Sequence, residues 1–169
     1  MSYVALQRMD DTIEGHALRR YWKGPYLYSL PDPAIEAFLL RGTPDGRGDL
    51  LPGAELQAYG GAIADGPDSD TAFSHRGTQY EFVAAARWSD PTEDEARLSA
   101  ARRYAASLEP FASGAYVNAL TDEAQAGVRR AYPPEKLVRL TAVKDAWDPD
   151  NVVHLNHNIH PTGWQADRT

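Results

Sequence analysis

The sequence predicts an α+β fold: an antiparallel sheet with helices on one face, followed by a C-terminal segment that is part helix and part extended chain. Three observations carry this. Strand-like segments precede helix-like segments with no β-α-β alternation. Residues 78 to 88 alternate cleanly, with Tyr80, Phe82, Ala84, Ala86 and Trp88 on one side. Asp90-Pro-Thr-Glu93 then gives a strong helix start: an N-cap, a proline at the first helical position and a glutamate at the third.

In chain order, Arg20-Tyr-Trp-Lys23 reads as a short strand ended by Gly24-Pro25. Asp32-Pro33 opens a short helix with Ile35, Phe38 and Leu39 on its apolar face, and Gly42 ends it. Residues 42 to 53 form a turn-rich loop. Glu55 to Ala64 reads as one strand interrupted by Gly60-Gly61, and a second loop runs from Gly66 to Gly77. After the long strand, Leu98, Ala101, Tyr104, Ala105 and Leu108 stripe a helix that Pro110 closes. Gly114 to Leu120 is extended, and Thr121 or Asp122 caps a helix to about Ala131. A last helix after Pro133-Pro134 has Leu137, Leu140, Val143 and Trp147 on its expected buried side, and Asp148-Pro149 stops it. Residues 151 to 159 return as an extended tail. The expected division is 1–113, 114–161 and a frayed end at 162–169.

Composition excludes several function classes. With 169 residues, one ordinary domain is expected. A net charge of -7 and the lack of a basic stripe argue against nucleic-acid binding. There is no apolar run long enough to span a bilayer and no secretory signal at the start, so a cytoplasmic protein is expected. There are no cysteines, which removes disulfides, thiolate nucleophiles and Cys-type zinc sites.

Three clusters could carry chemistry. His154, His157 and His160 are spaced by three, a pattern that on a helix suits zinc or nickel; between Asp148-Pro149 and Pro161 the chain reads as extended, where the rings diverge, and no metal site is expected. In an extended segment Tyr116 and Asn118 point to one side, where a phenol and a carboxamide can hold a substrate hydroxyl and take its proton. The commoner fate of such a tyrosine is a half-buried ring with a satisfied hydroxyl. His75-Arg76 lies in a Gly/Pro/Asp-rich loop and could stabilise a developing anion, or pair with Asp65, Asp68 or Asp70. There is no nucleophile elbow, dinucleotide fingerprint or P-loop.

The order of segments adds a resemblance. Gly114-Ala-Tyr-Val-Asn-Ala-Leu120, Val128-Arg-Arg-Ala-Tyr132, Lys136-Leu-Val-Arg-Leu140 and Trp147-Asp-Pro-Asp-Asn-Val-Val-His-Leu-Asn-His-Asn-Ile159 resemble the C-terminal signature of berberine-bridge-type FAD-linked oxidoreductases. Tyr59-Gly-Gly-Ala62 and Asp70-Thr-Ala-Phe-Ser-His-Arg76 resemble that family's Gly-Gly strand and its Phe-Pro-His-Arg loop, and Tyr21-Trp22-Lys23 the start of its substrate domain. Ser74 replaces the usual proline, His157 the usual glutamine, and Ala119 stands where an aromatic often follows.

The resemblance implies the substrate-binding and C-terminal region of such an enzyme, without the N-terminal FAD-binding domain. It implies FAD as cofactor, not retained by this chain alone, and a small sugar or natural product oxidised by hydride removal. By match, Tyr116 would be the general base or would orient the substrate, with Gln57 and Tyr59 lining its side. His75 would face the flavin, and Asn118, Asn156 and Asn158 would bond it or seat the tail. The implied partners are the substrate and either a separate flavin-domain subunit or a second copy. The other reading is a non-catalytic binding or assembly module derived from the same family.

Overall fold

The computed structural model describes residues 1–8 and 19–164 of the chain. Part of the expected frayed end, 165–169, therefore lies outside the described residues. The expected α+β architecture is present: five antiparallel strands and six α-helices among the described residues.

The long strand β4 (Tyr80–Trp88) is the spine of the sheet. On one side it pairs with β1 (Arg19–Lys23) and then β2 (Pro25–Leu27), Arg19 opposite Trp88 and Leu27 opposite Tyr80. The register is unbroken across Gly24, so β1 and β2 behave as one strand with a break. On its other side β4 pairs with β3 (Gly53–Ala58), Gly53 opposite Ala85 and Ala58 opposite Tyr80. The short β5 (Gly114–Ala115) adds to β2 at the far edge.

The even-numbered side chains of β4 face the helices, as the alternation predicts. α4 (Asp94–Leu108) lies across that face and buries Tyr104, Ala105 and Leu108 against Phe82, Ala84 and Leu27, and Ala101 against Tyr21, Ala86 and Trp88. The Phe82 and Tyr104 rings meet edge-on at 5.0 Å, and the Tyr104 hydroxyl donates to the Phe38 carbonyl at 2.8 Å. That bond fixes α2 (Asp32–Leu40) to α4. The Asp90 carboxylate accepts from the Thr92 amide at 2.9 Å, the N-cap that the sequence announces.

Several expectations need correction. On α2 the buried residue is Ala34, with Phe38 packed beside it, while Ile35 and Leu39 are exposed. The helix meets the core through Ala34, Ala37 and Phe38, whose ring meets that of Phe82 edge-on, so Ile35 and Leu39 turn outward. β3 ends at Ala58 rather than running to Ala64; Gly60 (φ 141°) and Gly61 (φ 53°) turn the chain into a one-turn helix α3 (Ala62–Asp65). Neither Thr121 nor Asp122 caps α5 (Ala124–Ala131). The Thr121 hydroxyl donates to the Trp22 carbonyl, and Asp122 accepts from Arg102 at 2.9 Å, so both tie the segment to the sheet and α4.

The largest correction concerns α6 (Pro134–Trp147). Val143 and Trp147, expected on its buried side, are exposed, Trp147 at 85%. What α6 buries is Lys136, 3% exposed, whose ammonium bonds the carbonyls of Thr71 (3.0 Å) and Phe73 and pairs with Asp68 at 3.1 Å. α6 thus clamps the 66–77 loop by a cation. The tail from Asn151, expected to be extended, is irregular instead, with bends at 155–157 and left-handed backbone at Asn151 and Asn156 (φ 54° and 61°), and Val152, Val153 and Leu155 are exposed on it. No helix among the described residues is long and apolar enough to cross a membrane.

Candidate functional site: a tyrosine-lined cleft

Alternation places Trp22, Tyr26, Gln57, Glu81 and Val83 on the sheet face away from α2 and α4. Tyr59 follows β3 and continues its ladder, its amide donating to the Gln79 carbonyl at 2.8 Å, so it shares the side of Gln57. Over this face fold the 66–77 loop, bringing Phe73 and Arg76, and the segment after β5, bringing Tyr116 and Asn118. Together they enclose a cleft of about 690 Å³.

Tyr116 and Asn118 do converge, by a different geometry from the one expected. Tyr116 is extended, but Val117–Ala119 form a 3-10 turn rather than a strand. The turn swings the Asn118 amide back, and its Nδ2 donates to the Tyr116 hydroxyl at 2.7 Å. The sequence missed Glu81, the one carboxylate on the cleft wall among the described residues. Glu81 stands across from Gln57 and accepts a hydrogen bond from the Tyr59 hydroxyl. It is 4% exposed. Burial raises its carboxyl above the usual carboxylate range, an effect that the Tyr59 bond partly offsets. Burial, then the bond to Glu81, pushes the Tyr59 phenol up to about 12. Burial foremost raises the phenol of Tyr26, whose ring lies 5.5 Å from that of Tyr59 and whose hydroxyl is buried without a hydrogen-bond partner.

The other predicted residues fall elsewhere. His75 does not line the cleft: its Nε2 lies 3.0 Å from the Arg130 carbonyl and its ring packs 5.7 Å from Tyr26. A side chain at Gly114 would collide with that ring, so the glycine is what lets β5 pass beneath it. Arg76, which the sequence reading set beside His75 as an anion stabiliser, does line the cleft; it bonds the Ile63 carbonyl and the Thr71 hydroxyl, each at 2.8 Å, rather than any of the neighbouring aspartates.

Asn156 lines a second cleft, about 590 Å³, with Leu120, Thr121, Asp122 and His157. Asn118 belongs to both clefts and joins them. Asn158 turns inward; its carbonyl accepts from Gln125 at 2.7 Å, while its carboxamide oxygen is buried and unpartnered. The three tail histidines diverge: His154 contacts the Asn151 and Val152 carbonyls, His157 the Leu120 carbonyl at 2.7 Å, and His160 approaches Gln125. No metal-binding cluster occurs among the described residues.

Carboxamides can bond one edge of a planar heterocycle such as a flavin: Asn118 and Asn156 line the second cleft, and the buried carboxamide oxygen of Asn158 has no hydrogen-bond partner among the described residues. For the diphosphate of a dinucleotide the sequence offers neither a G-x-G-x-x-G run nor a P-loop.

Comparison with known proteins points the same way. Residues 115–160 match the family described as Berberine and berberine like. FAD-linked oxidoreductase sorD of Penicillium rubens is 32% identical over 140 residues, 78% of this chain and 29% of that protein. An uncharacterised FAD-linked oxidoreductase of Bacillus subtilis, YvdP, is 28% identical over 104 residues, 62% of this chain and 23% of its own length. The fold is shared with the glycopeptide hexose oxidase DBV29, solved in complex with teicoplanin (TM-score 0.76, 21% identity, 88% of this chain and 33% of that one). It is shared also with BBE-like #28 of Arabidopsis thaliana (TM-score 0.72, 23% identity, 88% and 35%). Both curated relatives are FAD-linked oxidoreductases. The chain is similar to the C-terminal part of berberine-bridge-enzyme-like proteins, and it spans 23% and 29% of the length of the two curated relatives.

Proposed function

We propose that the tyrosine-lined cleft is the substrate site of an FAD-linked oxidoreductase that removes hydride from a carbon bearing a hydroxyl or amine on a sugar or natural product. The observation that carries this is the convergence of Gln57, Tyr59, Tyr116 and Asn118 on one aromatic cleft, from two separate parts of the chain. Its volume suits a drug-sized molecule, since ligand pockets usually run about 300–1,000 Å³. Trp22, Tyr59, Phe73 and Tyr116 offer flat apolar walls, and Gln57, Glu81 and Asn118 offer polar contacts to hydroxyls.

A bound flavin supplies the hydride acceptor. Everything else falls to this chain. Tyr116, its oxygen held by Asn118, orients the reacting group at the junction of the two clefts. The aromatic walls exclude water from it. Asn118, Asn156 and Asn158 would hold the flavin's edge. His75, behind Tyr26, would support the cleft wall.

The test combines the purified chain with a flavin-bearing portion of a relative. Substrate-dependent bleaching of the flavin absorbance, abolished when this chain is omitted, supports the reading. A chain that binds a sugar or polyphenol, measured by quenching of tryptophan fluorescence, but never reduces flavin favours a non-catalytic binding module instead.

A further inference from the structure

The tail is tied to the segment after β5 at a defined point. The Nε2 of His157 lies 2.7 Å from the Leu120 carbonyl, 37 residues back along the chain. A carbonyl can only accept. The ring, whether neutral or cationic, therefore carries a hydrogen on Nε2 and donates it, and in the neutral ring Nδ1 is bare.

Each end of this bond sits beside a carboxamide. Leu120 closes the 3-10 turn Val117–Ala119, its amide donating to the Val117 carbonyl at 3.3 Å, and Asn118 is the middle residue of that turn. This end is anchored in its own right: the Leu120 side chain is buried with Ala115 and Ala131, and the Thr121 hydroxyl donates to the Trp22 carbonyl. The tail end has no such anchor at Asn156, the residue before His157. Asn156 is exposed and has a left-handed backbone (φ 61°), a conformation that asparagine tolerates but that persists only where its surroundings hold it. The turn is thus the fixed partner, and the tail is the part that is placed. Asn118, Leu120, Asn156 and His157 all line the second cleft. Just beyond them the Asn158 carbonyl accepts from Gln125 at 2.7 Å, which straps the tail again, to α5.

We propose, resting on the oxidoreductase reading above, that His157 is a positioning residue. Its Nε2–H bond to the Leu120 carbonyl sets Asn156 in register with Asn118 on the wall of the second cleft, so that both carboxamides meet one planar ring. His157 acts through Asn156 and gives up no proton or electron in the reaction. A donor is what the position requires, so an amide side chain serves there as well as an imidazole.

On the chain alone, nitrogen-15 long-range correlation spectra of the histidine rings, with His157→Gln identifying the signal, should show the neutral His157 ring with its hydrogen on Nε2. A hydrogen on Nδ1 instead would overturn the proposal. Hydrogen exchange at residues 156–158 should speed up about two- to ten-fold in His157→Ala, the worth of one neutral hydrogen bond. It should stay near wild type in His157→Gln, and exchange in β4 should not change in either. With the flavin-bearing portion supplied, His157→Ala should slow substrate-dependent bleaching about ten-fold or more, since displacing a reacting group by about 1 Å can cost about a hundred-fold. Substrate affinity, read from tryptophan quenching, should stay as it is; loss of a merely structural contact would weaken affinity and stability together. His157→Gln should restore the bleaching rate to within a few-fold. Bleaching in His157→Ala within two-fold of wild type, or His157→Gln as slow as His157→Ala, overturns the positioning role and leaves the oxidoreductase reading standing. A wild-type assembly that never bleaches sinks that reading and the role with it.

Discussion

The Asn118 amide donates to the Tyr116 phenol oxygen over 2.7 Å, across a turn of only two residues. This bond fixes the direction of the phenol where the two clefts meet, so the two residues should behave as one unit. Loss of a neutral hydrogen bond is worth about 0.5–1.5 kcal/mol. With flavin supplied, Asn118→Ala should therefore lower kcat by about two- to ten-fold. Tyr116→Phe should cost more, about ten-fold or beyond, with substrate binding little changed, and adding Asn118→Ala to it should cost little extra. Fully additive losses would show that the bond has no part in orienting the phenol.

Lys136 gives a second prediction. Its ammonium is buried on α6 and holds the carbonyls of Thr71 and Phe73 with Asp68 alongside. Lys136→Met keeps the stem and strands those carbonyls. With charge-assisted bonds worth about 1.5–3 kcal/mol, the unfolding free energy should fall by an amount in that range, lowering the urea midpoint in proportion, and proteolysis within residues 66–77 should speed up. Since Phe73 and Arg76 ride on this loop, ligand affinity of the cleft should fall too. An unchanged midpoint would mean that the clamp contributes nothing to stability.

These residues show what was legible in the sequence. The spine strand, its helix-facing side and the Asp90 cap follow from local pattern, and all three are present. The pairing of Gln57 and Tyr59 on one side follows from the same period of two. Glu81 was not legible, because a charged residue opposite an apolar face reads as solvent-facing; only the register with β3 and the folding-over of the 66–77 loop bury it. The buried side of α6 failed for a related reason. Leu137, Leu140, Val143 and Trp147 form a genuine apolar stripe, but within this chain the helix meets its neighbours through Lys136.

That stripe yields the third prediction. Val143 and Trp147 on the stripe, and Val152, Val153 and Leu155 on the tail that follows, are all exposed, and large exposed apolar groups in number mark contact surfaces. The chain should self-associate at high concentration, and a flavin-bearing portion should compete with that self-association. Trp147→Lys together with Val153→Lys should abolish both without lowering the melting temperature. A wild-type chain that sediments as a monomer throughout and binds no such portion would refute this.

The last prediction concerns Glu81. Its folded-state carboxyl is raised by burial above the usual carboxylate range. A group shifted this way favours the folded state while it is neutral, so its stabilising contribution is complete below the unfolded pKa and is lost as pH rises through the folded one. Burial makes the charged carboxylate the costlier form for the folded protein to hold. Glu81→Gln should therefore raise the melting temperature at pH 7, and the gain should shrink on acidification and vanish once the wild-type carboxyl is protonated. The acidic residues with depressed values, Asp90, Asp94, Asp145 and Asp148, work in the opposite sense. Both proteins should consequently lose stability in strong acid, and the difference between their melting curves across pH isolates Glu81. A glutamine variant less stable than wild type at pH 7 would mean that the buried charge is fully compensated where it stands.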